Sequence, residues 1–301
     1  WFSNPGEKHA SDDQIIALMS TCLFGGFVFG NAKRVLSCTL LIDKTESCHR
    51  TEANYAAIWI ARLTVVVGPV IAILLRQDSR DIVFYGIAGT AAVISALIVM
   101  TVKFPFRAPE EGTRIISIDR FFLPKGWNVA LVITLMSAAL GTIMAANSDT
   151  NFFSSLIAGF AIAIVTLRYK VVRTGRYTSA IGNVCILTAM LAMTLHNGLL
   201  DDTLKPMLLG IGFGLTSSEQ LYKLLDLCDH CQRSTAESTY FTASDGGLFL
   251  GLAAGWGYGN LTCTPCQAIR IEHIAITLFI AATFICGLNA IVKRKHIEYH
   301  A

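Results

Sequence analysis

Five ionisable side chains stand where their neighbours are almost wholly apolar. Arg62 lies in Trp59-Ile-Ala-Arg-Leu, about nine residues into an apolar run, and Asp245 lies at the same depth in another. Lys33 and Arg34 interrupt a third run near its end, and Glu219 sits about two turns inside a fourth. A charge at such a depth costs roughly 3 kcal/mol on insertion scales unless it is paired or faces a cavity, so these positions are functional candidates by default. Arg62 and Asp245 are 183 residues apart, a spacing that recurs elsewhere in the chain. A cation and an anion at related positions suit a shared cavity. There Arg62 would meet an anionic group of a solute, and Asp245 a cationic group or a coupling proton. The plainer reading is that each pairs with a neighbour and fixes helix packing. Lys33 and Arg34 have stems long enough to snorkel to a membrane surface, and Glu219 falls close to their repeat-equivalent, as a gate between bundles would require. A carboxyl buried with its proton on is the alternative for Glu219.

Other chemistry finds little support. There is no glycine-rich phosphate loop with its lysine, no His-Glu-x-x-His run and no Ser/His/Asp spacing, so pumping driven by nucleotide hydrolysis, or hydrolysis of any other kind, has no motif to rest on. Nine cysteines include two pairs at CxxC spacing, Cys228/Cys231 and Cys263/Cys266. A zinc site needs four ligands on one side of a membrane, and the topology below separates the pairs, so no metal or other cofactor is expected. Cys263 and Cys266, in Asn-Leu-Thr-Cys-Thr-Pro-Cys, fall in a loop where a local disulfide fits an oxidising compartment and two free thiols fit equally well.

The elements that position these groups are helices in a membrane. Of 301 residues, 53% are hydrophobic and 15% charged, and mean hydropathy is +0.54. That is too little charge to cover a water-soluble globule of this size, for which about 25% is usual. The net charge of +3 is too small to indicate nucleic acid. Apolar runs long enough to cross about 30 Å of hydrocarbon predict nine spans, near 13–41, 53–75, 82–102, 127–146, 151–168, 177–195, 204–225, 235–258 and 271–292. The fold class expected is an all-α, polytopic membrane helix bundle. Eighteen of the 24 Lys and Arg fall at alternate ends of these spans, from Lys33 through Lys103, Arg168 and Lys223 to Lys295. The positive-inside rule puts that set, and the C-terminus, in the cytoplasm. Nine spans then place Trp1 outside, which reads as a cut between two helices. The proline-rich stretch 103–126 divides the chain into a three-helix part, 1–102, and a six-helix part, 127–301.

An internal repeat supports this division. Gly26 and Phe29-Gly30 lead to Arg50 and Gly68, as Gly210 and Phe213-Gly214 lead to Arg233 and Gly251, at an offset of 183 or 184. Two like-oriented halves of six helices are a transporter pattern.

The run Arg233-Ser-Thr-Ala-Glu-Ser-Thr-Tyr-Phe-Thr-Ala-Ser-Asp-Gly-Gly-Leu-Phe-Leu-Gly resembles the loop and eleventh helix of bacterial major facilitator superfamily permeases related to sugar and drug efflux proteins. Gly26 to Gly30, Arg50 and Gly68-Pro69 are similar to that family's fourth and fifth helices, so the chain would supply helices four to twelve. The family's cytoplasmic Asp-Arg-x-Gly-Arg signature would lie upstream, Cys22 stands where many antiporters have Arg, and the fifth-helix signature is reduced to Gly68-Pro69. The resemblance implies secondary transport of a small solute by alternating access in the cytoplasmic (inner) membrane, coupled to a proton or sodium, with no enzymatic activity. It also implies that the 301 residues alone do not transport and that the full product has twelve spans. A degenerate sensor or scaffold is the second expectation, and a thiol oxidoreductase using Cys263 and Cys266 the third.

Overall fold

A computed structural model describes residues 46, 50–78, 81–101, 122–168, 177–195, 201–228, 232–261 and 267–298. The chain divides into two compact units, 1–54 and 55–301. Of the first, Glu46 and the start of one helix are described. Apart from the start of that helix, everything below concerns the second.

Among the described residues there are eight α-helices and no strand: α1 (Arg50–Asp78), α2 (Asp81–Thr101), α3 (Trp127–Ala146), α4 (Thr150–Arg168), α5 (Thr178–Thr194), α6 (Leu204–Asp226), α7 (Arg233–Leu261) and α8 (Gln267–Glu298). They coincide, within a few residues at most ends, with the eight expected apolar runs from 53 onward. The ninth, 13–41, lies outside the described residues. Local chemistry sets several ends. Pro124 opens a single 3₁₀ turn, Pro124–Gly126, that leads into α3, where its missing N–H is no loss. The α3–α4 connection is short: the Asn147 side chain donates to the Ile143 carbonyl (2.8 Å), and Asp149 Oδ1 accepts from the Asn151 N–H (3.1 Å). Orphan groups at both helix ends are thereby bonded.

Hydroxyls inside the apolar helices are satisfied locally. Thr134, Thr142, Thr188, Thr194, Thr216 and Thr277 each donate to the carbonyl four residues back. Threonine can therefore lie mid-helix in apolar surroundings without a distant partner.

Packing rests on small residues. α7 lies along α3, where a Cβ on Gly247 would overlap the Thr134 carbonyl, one on Gly251 the Ala138 carbonyl, and one on Gly255 the Ala145 side chain. The reciprocal contact is Gly141 of α3 against the Leu248 carbonyl. α6 runs between α4 and α5: Gly210 and Gly214 abut Leu156 and Ala163 of α4, while Gly212 meets Gly182 and Ile186 of α5. Spacing of four residues keeps each set of glycines on one face, and backbones approach as bulkier residues would forbid. α8 packs on α3 and α5. The main core draws on α3 to α8 together with Val66 of α1. A second cluster gathers Leu123, Ile133, Leu221, Leu224, Ala236 and Tyr240 at the end where α6 meets α7.

Two helices, Pro124–Ala146 and Thr150–Leu167, are long and apolar enough to cross a membrane. Shorter apolar stretches, Trp59–Leu74, Gly89–Ile98, Thr178–Thr194 and Ile271–Gly287, occupy four others. Among the described residues α6 and α7 carry neither kind of stretch: Glu219 and Lys223 interrupt α6, Glu237 and Asp245 the first half of α7, and the second half of α7 is rich in glycine. Nine spans were expected from looser windows that tolerated those charges. The surface is strongly apolar all the same. Every residue from Gly89 to Ile98 is exposed, as are Ile60, Val165, Val184, Phe249, Leu250 and Phe284.

Candidate functional site

α1 touches α6 and α7 through single side chains. Trp59 approaches Gly214 of α6, and one turn on Arg62 reaches α7. Period 3.6 explains the pairing of roles: Trp59, Arg62 and Val66 share the inward face, while Ile60, Thr64 and Ile71 are exposed. Arg62 is 7% exposed. Its Nη2 donates to the Tyr240 hydroxyl at 3.3 Å, and its guanidinium carbon lies 5.9 Å from the centroid of the same ring. A phenol thus offers the cation both its oxygen and the edge of its π-face, the latter at the outer limit for such an attraction. Tyr240 is 1% exposed and held edge-on by Phe241, ring centroids 5.6 Å apart.

Arg62, Tyr240, Ser244 and Asp245 line one hollow, closed on its apolar side by Ala61, Val65, Phe241 and Leu248. Its volume is ≈ 10 Å³, about what one water centre needs. Ser244 is buried and Asp245 exposed. The two depth-matched charges therefore meet at one place, but asymmetrically: the cation lies inside and the anion at the rim. Guanidinium carries five N–H donors, and one hydrogen bond from Arg62 is present among the described residues.

The remaining sequence candidates lie elsewhere. Glu219 accepts an ion pair from Lys223 one turn on (2.9 Å), with both side chains partly exposed, so it is neither a lone buried acid nor a lining residue of the hollow. Arg50 is the first residue of α1 and Arg233 the first of α7, the latter exposed. Gly210, Gly214 and Gly251 are contact points between helices, whereas Gly68 faces open space beside Pro69, which lies within α1. The repeat partners Gly68 and Gly251 thus occupy different surroundings. Lys33, Arg34, Gly26, Gly30, Cys263 and Cys266 lie outside the described residues. Among the described residues no three His, Cys, Asp or Glu side chains converge as metal ligands.

Sequence reasoning singled out none of Tyr240, Ser244 and Glu237. Glu237 is 3% exposed, in a row of buried polar residues on α7 that includes Ser238 and Thr239. The usable signal was spacing: Tyr240 and Ser244 are four apart and Asp245 is next in line, so all three can border one patch.

No protein-family model matches the chain, and neither a curated protein nor a solved structure matches it.

Proposed function

We propose that the chain forms part of a polytopic membrane bundle that moves a small solute by alternating access, and that the Arg62 hollow belongs to its solute pathway. The observation that carries this reading is a buried guanidinium between two helices of a bundle whose outer surface is apolar. In water, the exposed run from Gly89 to Ile98 would be an aggregation surface. In a bilayer it is an ordinary lipid-facing helix. Charge at membrane depth is then retained for ions or solutes, and among the described residues the Arg62 guanidinium donates to an aromatic hydroxyl. Multi-pass insertion in the cytoplasmic membrane with the C-terminus inside, and kinship with the major facilitator superfamily, belong to the same proposal. They rest on the alternation of basic loops and the repeat in the sequence.

Reconstitution tests it. The complete gene product in proteoliposomes should exchange internal for external solute from a mixed pool of labelled sugars, amino acids and organic ions. Arg62→Gln should cut that exchange by tenfold or more, since about 1.4 kcal/mol in a binding or barrier step is a factor of ten. Exchange unaffected by Arg62→Gln would move the solute pathway elsewhere. Absence of exchange across the whole pool would favour a sensor or scaffold.

A further inference from the structure

We propose that Trp127, Tyr177, Tyr222 and Trp256 mark the two boundary planes of the bilayer. The first three meet the phospholipid ester and headgroup layer at one end of the bundle, and Trp256 meets that layer at the other end. The inference names the partner of these exposed rings and the depth at which the bundle sits, and it rests on the membrane residence proposed above.

Exposed aromatic side chains are sorted by polarity. Among the described side chains, the exposed tryptophans and tyrosines are these four, each more than half exposed. All lie near helix ends: Trp127 opens α3, Tyr177 precedes α5, Tyr222 is near the end of α6 and Trp256 near the end of α7. The exposed phenylalanines, Phe249 and Phe284, have no polar tip and lie well inside α7 and α8.

Helix contacts bring three of the four to one level. A Cβ on Gly126, beside Trp127, would meet the side chain of Leu224, in the same turn as Tyr222. Gly212 abuts Ile186 while Gly182 abuts Leu215 and Thr216, so α5 and α6 are antiparallel. That register puts Tyr177 within about one turn of Tyr222. Trp256 stands at the opposite level, because its neighbour Gly255 packs on Thr142 and Ala145 in the last turns of α3. Along α3 from Trp127 that is about 25 Å at 1.5 Å per residue, close to the roughly 30 Å of hydrocarbon in a bilayer. The exposed Val184, which lies between Gly182 and Ile186, belongs to the zone between the two levels.

The chemistry of the rings selects the partner. An indole or phenol has an apolar body and one donor that needs an acceptor. Acyl chains take the body but offer no acceptor, and water takes the donor but not the body. The ester layer serves both, which is why these two residues collect at membrane interfaces. Lys125 is exposed just before Trp127, where its ammonium can reach lipid phosphate.

The test uses the full chain in bilayers whose acyl chains carry bromine either beside the ester or near the methyl end. Trp127 is the sole tryptophan of one chain and Trp256 of a second, the others being replaced by Phe. A third chain carries Val184→Trp alone. Ester-end bromine should quench Trp127 and Trp256 about twofold or more over methyl-end bromine, as rings held at the boundary require. Val184→Trp should show the reverse order. If the sole-tryptophan chains do not fold, wild type is compared with Trp127→Phe and with Trp256→Phe, and the difference gives each ring's quenching after one exposed change. Stronger quenching of Trp127 or Trp256 by methyl-end bromine would overturn the proposal and leave the bundle in the membrane. So would an order shared by all three chains. Quenching of all three by aqueous acrylamide, with neither brominated lipid effective, would overturn it together with membrane residence.

Discussion

Gly246 and Gly247 are adjacent on α7 and predict opposite outcomes for the same substitution. A Cβ on Gly247 would overlap the Thr134 carbonyl oxygen and approach the Thr134 Cα to 2.8 Å, while one on Gly246 would have nothing within 4 Å. Alanine gains up to about 1 kcal/mol over glycine inside a helix because it orders less backbone. At position 246 that gain stands alone, so Gly246→Ala should stabilise slightly. At 247 the obstacle is the backbone of a packed neighbour, which cannot rotate away like a side chain. α7 would have to move off α3 along the seam that Gly247, Gly251 and Gly255 share. Overpacking of this kind costs roughly 1–3 kcal/mol, and part of the extensive α3–α7 contact is lost with it. The net expectation is destabilisation by about 1–2 kcal/mol for Gly247→Ala. Both variants are compared by thermal unfolding of the full chain in one detergent, with helix content followed by circular dichroism. Gly247→Ala at or above wild-type stability would refute the close α3–α7 crossing. Equal losses at both positions would refute the assignment of the α7 faces.

Two further substitutions probe the end of the bundle where α6 and α7 meet. Thr239→Val removes the hydroxyl that accepts the Leu123 N–H at 2.8 Å and leaves a buried donor unbonded. It should cost about 1–3 kcal/mol in the same unfolding assay, and an unchanged midpoint would show that the segment before α3 is held by other means. Lys223→Met breaks the ion pair with Glu219, whose partners are 40% and 30% exposed. Partly exposed pairs contribute at most about 1 kcal/mol, so stability should change little and solute exchange should persist. A loss of exchange would return Glu219 to the pathway.

Helix positions were legible because each apolar run is ended by chemistry visible in the chain: Pro124 before α3, Asn147 to Asp149 between α3 and α4, and Asp201 and Asp202 before α6. The pairing of Glu219 with Lys223 was also available from their i, i+4 spacing. What the chain order does not encode is which face meets which. Tyr240 reaches Arg62 across 178 residues, and nothing in a linear string distinguishes it from the chain's other tyrosines. The repeat misled in one respect. It equates Gly68 with Gly251, yet a glycine's surroundings depend on the helix opposite, and among the described residues Gly251 has α3 against it while Gly68 has no helix. It equated Arg62 with Asp245 more usefully, since both border one hollow. Their burial differs all the same, because one helix face turns inward where the other turns out.

The most direct test of membrane residence is a cysteine scan of residues 89–98 with nitroxide labels in reconstituted bilayers. The account predicts that every label collides readily with oxygen, which concentrates in lipid, and poorly with a water-soluble nickel chelate, with no helical period in either signal. Labels along 89–98 that meet the nickel chelate as freely as those on an aqueous loop would contradict it.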